Sequence, residues 1–140
     1  MRHRLAAAAL SLLFALPAVA EDKGFVIADY STPTLIDKAK VEAIWHANLP
    51  EARLEKLYPI KRYGFLSQVN GGIANGTCVV TARAVMLPRT SPTRRLVWEP
   101  VHSSTTFDAK PNATAAQCTE LAAEKLKEAI NSLVSSLVKT

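Results

Sequence analysis

Thr77-Cys78-Val79-Val80-Thr81-Ala82-Arg83-Ala84-Val85-Met86-Leu87 is the stretch on which the fold turns. Its β-branched residues suit a pleated strand, and it contains no proline or glycine to interrupt a hydrogen-bond ladder. Successive side chains of a strand alternate between faces, so Cys78, Val80, Ala82, Ala84 and Met86 form one surface. Thr77, Val79, Thr81, Arg83, Val85 and Leu87 form the other. The small residues midway along the first surface admit a bulky neighbour at close range.

That neighbour is at the end of the chain. A helix is expected from Pro111-Asn112 to about Lys139, with Cys118, Ala122, Leu126, Ala129, Ile130, Leu133 and Leu137 on one apolar arc. Glu120, Glu124 and Glu128 form a stripe away from its centre. Acids early and Lys139 at the end suit the helix dipole. The long helix docks on the strand's small-residue face. Cys78 and Cys118, the two cysteines of the chain, then lie where strand and helix meet.

The start of the chain sets the state of that pair. Met1-Arg2-His3-Arg4 is a basic head, residues 5–16 are an uncharged apolar run, and Ala18-Val19-Ala20 before Glu21 is a small-x-small cleavage site. This order predicts a secretory signal peptide over residues 1–20 and a single mature domain over residues 21–140. Two cysteines in an oxidising compartment are expected to form one disulfide, and closing so long a loop contributes about 4 kcal/mol before native strain is subtracted. The alternative is a pair of reactive thiols, but redox motifs place their cysteines close together in sequence.

Upstream, residues 25–30 read as a short strand or as a staple onto the core. Ser31-Thr32-Pro33-Thr34 offers a hydroxyl cap and a first-turn proline, which predicts a helix over residues 35–47. Ile36, Ala39, Ala43 and Ala47 share one face of it, with Ile44 beside them. Pro50 stops it, and residues 51–57 add further turns before Pro59. A second strand follows over residues 60–69, with Tyr63, Phe65 and Val69 on one side. Asn70-Gly71-Gly72 and Asn75-Gly76 punctuate the next loop. A polar turn over residues 88–93 leads to a third strand over 94–107, interrupted at Pro100 and therefore an edge. The fold class is α+β: an N-terminal helix, a three-stranded antiparallel sheet, and a long C-terminal helix joined to the sheet by one disulfide. The first helix is expected to cover Val79, Val85 and Leu87. If it does not, that patch becomes a partner or dimer surface.

Composition narrows the function classes. Residues 21–140 carry fifteen bases against twelve acids, a net charge near +3, which favours solubility without making a nucleic-acid footprint. No second apolar run is long enough to span a bilayer, and no cysteine follows the cleavage site to carry a lipid anchor. A periplasmic or secreted protein is expected. Asn75-Gly76-Thr77 and Asn112-Ala113-Thr114 read as turn and helix-start residues rather than glycosylation acceptors.

Nothing positive marks an enzyme. His46 and His102 are too few for a zinc site once the cysteines are paired, so neither a metal nor a cofactor is expected. His102-Ser103-Ser104 with Asp108 has triad chemistry on paper, but neighbours in a strand point to opposite sides and no nucleophile turn precedes either serine. Glu51 with Glu55, and the helical glutamates, have the spacing of solvated helix faces. Arg89, Arg94 and Arg95 cluster around the second turn, and Arg83 is placed to reach the same side. Guanidinium forks suit carboxylates and phosphates, whereas the ordinary reading is a set of solubilising charges. With Leu87 they form the candidate partner-binding set.

Gly76-Thr77-Cys78-Val79-Val80, the hairpin turn, and Gln117-Cys118-Thr119-Glu120-Leu121-Ala122-Ala123 resemble the C-terminal periplasmic domain of TolA, which is related in fold to that of TonB. The helix over residues 54–58, ending in an aromatic, is similar too. The resemblance spans about half of residues 21–140. It implies a strand cysteine bonded to a cysteine early in an alanine-rich helix. This chain differs in lacking a membrane anchor and stalk, in a longer insertion between the cysteines, and in ending on its helix without a following strand. The resemblance therefore bears on fold and not on energy coupling. The function expected is a non-enzymatic envelope protein that works by contact with a protein partner. The alternative is a small inhibitor or immunity protein whose arginine turn plugs an exported hydrolase.

Overall fold

In the computed structural model, residues 23–91 and 93–139 are described; the expected signal peptide lies outside them. In chain order the elements are β1 (Ile27–Asp29), α1 (Lys38–Asn48), α2 (Glu51–Leu57), β2 (Tyr63–Ala74), β3 (Thr77–Pro88), β4 (His102–Pro111) and α3 (Ala115–Val138). The strands form one sheet in the order β1-β2-β3-β4. β1 runs parallel to β2, while β2–β3 and β3–β4 are antiparallel. The expected three-stranded antiparallel sheet is thus a four-stranded mixed one, with three helices rather than two. A parallel pair needs a crossover connection, and α1 and α2 supply it.

β3 sits as its alternation requires. Cys78, Val80, Ala82, Ala84 and Met86 are all buried, and they pack with Phe65 and Val69 of β2 beneath α3. Every residue expected on the α3 arc is buried. The helix begins at Ala115, not at Pro111. Asn112 takes a left-handed turn, and Thr114 caps the helix by accepting from Gln117 N at 3.2 Å while Gln117 Oε1 accepts from Thr114 N at 3.0 Å. Cys78 and Cys118 are bonded, with 5.5 Å between their Cα atoms.

Three expectations need correction. α1 starts at Lys38 behind an Asp37 cap that accepts from Lys40 N, so the hydroxyls at residues 31–34 do not open it. Its inward face is Val41 and Trp45 with Ile44, while Ala39, Ala43 and Ala47 face solvent. Burying a valine and a tryptophan removes far more apolar area from water than burying three alanines. Second, the run Asn70-Gly71-Gly72 is strand, and Asn75-Gly76 alone turns the hairpin. Gly71 has φ +132°, and a Cβ there would collide with the Val79 carbonyl. The glycine permits close strand approach and does not mark a loop. Third, β4 starts at His102, and residues 94–101 belong to a connection.

All three helices contribute to one core cluster on one side of the sheet. The sandwich of helices around the sheet does not form. On the helical side, Trp45 donates to Ser67 Oγ at 3.1 Å, and Ser67 donates to Asp29 Oδ1 at 2.9 Å. Ser31 donates to the same carboxylate at 2.6 Å and accepts from Val69 N at 2.9 Å. This buried chain ties α1, β1 and β2 together. Lys125 ties α3 to β4. Its Nζ lies 2.8 Å from Glu128 and 3.7 Å from Asp108, and Thr106 donates to its carbonyl at 2.7 Å. The Glu128 hydrogen bond, opposed by burial and aided by the three nearby carboxylates, holds the Lys125 ammonium above its ordinary range.

Candidate functional site

With the helices on one side, the other face of the sheet is left to the connection between β3 and β4. The register builds that face in rows. Leu66 lies opposite Val85, and Gln68 opposite Arg83, which in turn lies opposite Thr105. Ala28 of β1 pairs with Leu66, and Tyr30, two residues on, reaches the same side. At the β4 edge Thr81 faces Phe107, whose ring is 78% exposed.

Residues 89–101 fold back over one end of this face. Leu96 pairs with Arg89 across an isolated bridge, Val97 N donates to Pro88 O at 2.9 Å, and Val101 N donates to Met86 O at 3.0 Å. Leu96 joins Ala28 against Leu66, Val85 and Leu87, forming a small second core. It settles there because residue 64 is glycine: a Cβ would meet Leu96 Cδ2 at 2.7 Å and Val26 O at 2.8 Å. Further along, Trp98 projects over the sheet, 55% exposed, and the Arg83 guanidinium lies 5.3 Å from its ring centroid. At an exposed site such a contact stabilises by about 0.5–1 kcal/mol.

Between Tyr30 and Trp98 runs a cleft of about 330 Å³. Leu66, Leu87, Ala28 and Leu96 line it and Gln68 contributes its amide. Tyr30 is 67% exposed. An apolar floor with a few polar groups at the rim is the usual make-up of a ligand site, and the volume falls at the small end of the range. The arrangement can grip a side chain by stacking and burial. Its described lining residues include no Ser, Cys, His, Lys, Asp or Glu.

The structure disperses the expected partner-binding residues. Leu87 is buried in the floor and Arg83 stands at the rim. Arg89 is turned inward, donating to Ile60 O at 2.6 Å and Arg94 O at 2.8 Å, so it fastens the connection to the start of β2. Arg94 adopts φ 53° in the same turn, and Arg95 is exposed. Leu87 lines the cleft and Arg83 sits beside it against Trp98, whereas Arg89, Arg94 and Arg95 belong to the loop alongside. Tyr30, Gln68, Leu96 and Trp98 were not singled out from the sequence. For Leu96 and Trp98 the apolar run Leu96-Val97-Trp98 is a signal, within a segment expected as strand; Tyr30 and Gln68 have none.

Other chemistry-bearing residues stay apart. His102 and Asp108 lie six residues apart on β4, roughly 20 Å at the strand's rise per residue, and Asp108 is engaged by Lys125. His46 Nδ1 is 4.0 Å from Glu51. Among the described residues no group of three or more His, Cys, Asp or Glu is placed to hold a metal ion, and no helix is long and apolar enough to cross a membrane.

No protein-family model matches the chain, and no curated protein sequence does. Among solved structures it is similar to a "putative lipoprotein" from Caulobacter crescentus CB15, at 12% identity and TM-score 0.39, over 81% of this chain and 88% of that one. It is also similar to a minor lipoprotein from Acinetobacter baumannii, at 12% identity and TM-score 0.32, over 81% and 87%. Likenesses this loose carry no functional argument.

Proposed function

We propose that the protein is a non-enzymatic component of the cell envelope that binds a protein partner through the open face of its sheet. The observation that carries this reading is the one-sided fold. Three helices cover one face, while the other presents Tyr30 and Trp98 to solvent across a cleft, and Phe107 at the β4 edge. Exposed aromatics grouped on one surface mark interaction sites. The export signal and the Cys78–Cys118 disulfide support an oxidising compartment. An inhibitor that plugs an active site needs a group of projecting arginines, and here Arg89 is turned back onto the Ile60 and Arg94 carbonyls while Arg95 is exposed. The open face therefore carries the proposal.

The reading is tested by capture from envelope extracts with wild-type protein and with a Tyr30→Ala/Trp98→Ala double variant of matched melting temperature. A partner retained by the wild type and lost by the variant is expected. Equal recovery by both would move the binding surface elsewhere.

A further inference from the structure

Charge is distributed very unevenly over this sheet. Asp29 and Asp108 both point to the helical side, where Ser67 and Lys125 engage them. Among strand residues that alternate onto the open face, Arg83 is the one charge, and no acid accompanies it. Its guanidinium carries five N–H donors in a fixed fork. Yet the Arg83 side chain makes no hydrogen bond or ion pair with any described residue; it lies against the Trp98 ring. Glu99, the residue after Trp98, forms no ion pair with it either. Lys125, on the covered face, has three carboxylates within 4 Å. The two cations are treated oppositely by the fold.

The cation–π contact with Trp98 uses the charge of the guanidinium and none of its N–H donors. Gln68, opposite Arg83 in register and also on the cleft wall, has no side-chain partner among the described residues. A half-buried fork beside an amide, next to an apolar cleft, suits a paired ligand: an oxyanion, and an apolar group on the same face two residues from it. A peptide in extended form supplies both.

We propose that the cleft takes an apolar or aromatic side chain of an extended peptide whose carboxylate two residues along, on the same face, is held by Arg83, with Gln68 bonding the peptide backbone. This rests on the reading of the open face as a protein-binding surface and adds the chemistry of the partner, an acidic–apolar segment. Positively charged segments are disfavoured by the same uncompensated guanidinium.

The test uses the exported, disulfide-bonded protein, isotope-labelled for NMR, and two blocked peptides: acetyl-Ala-Trp-Ala-Glu-Ala-amide and its Glu-to-Gln counterpart. Both are expected to shift resonances of Tyr30, Leu66, Gln68, Leu96 and the Trp98 indole. The Glu peptide should bind roughly two- to fivefold more tightly at low salt, the range of a partly exposed ion pair, and the preference should fade as salt rises. Arg83→Gln should bring the two peptides to equal affinity while the Gln peptide binds as before, and Arg83→Lys should restore part of the preference. Equal binding of both peptides to the wild type would overturn the proposal, as would a preference that survives Arg83→Gln. So would phosphatidylglycerol vesicles that perturb these resonances when the Glu peptide does not. A partner captured through Tyr30 and Trp98 with no acid preference would sink the peptide chemistry and leave the protein-binding reading standing.

Discussion

Ser67 shows how much one hydroxyl settles. It is fully buried, accepts from the Trp45 indole and donates to Asp29, so three elements meet on a single oxygen. Ser67→Ala is expected to lower stability by about 1–3 kcal/mol, the cost of leaving a buried donor unpaired, as read from urea unfolding. A loss below a few tenths would show that the chain of bonds is dispensable. Lys125 makes a different prediction. Its folded-state pKa is raised, so its contribution is fully present below the ordinary lysine value of about 10.4 and is lost as pH rises through the folded value. Lys125→Met should therefore flatten the decline of unfolding free energy above about pH 10, and an unchanged slope would contradict it. Neither residue was legible in the sequence. A serine in a strand and a lysine beside an apolar arc look like solvent-facing residues until the partners, 22 positions away for Ser67, come into contact.

At the scale of elements, the disulfide joins the strand and helix that carry most of the core. The Cys78→Ala/Cys118→Ala protein is expected to lose up to about 4 kcal/mol, less any strain relieved, and to match reduced wild type in denaturant midpoint. A double variant as stable as oxidised wild type would show that packing alone fixes the helix. β3 and α3 could be read directly because each is long and strongly patterned: β3 alternates from Thr77 to Ala84 before both its faces are covered from Ala84 to Leu87, and α3 keeps an unbroken apolar arc from Cys118 to Leu137. α1 was placed on the wrong face because Ala39, Ala43 and Ala47 recur as regularly as Val41 and Trp45, and periodicity does not weigh side-chain size. Gly71 and Gly72 were read as loop because their positive φ is typical of turns. At Gly71 it serves close approach to Val79 within a hairpin. β1, three residues long, is strand only by virtue of its pairing with β2.

For the whole molecule, the decisive fact is that α1, α2 and α3 share one side. Alternation along β3 divided the two faces correctly, and Arg83 and Leu87 were placed on the side that stays open. What lay beyond the sequence was the company they keep. Tyr30, Gln68 and Trp98 come from three other segments, and their convergence depends on strand order and on a loop that folds back against Gly64. The Tyr30–Trp98 cleft exists only at that scale, and so does the claim that this face binds a partner. In-cell photocrosslinking compares the two faces directly, with a photoreactive residue placed at Tyr30 or Trp98 on the open side, and at Glu124 or Ser135 on the solvent side of α3. A discrete adduct from residues 30 and 98, absent from 124 and 135, is the expected result. Adducts from the α3 positions alone, or from all four alike, would contradict the account.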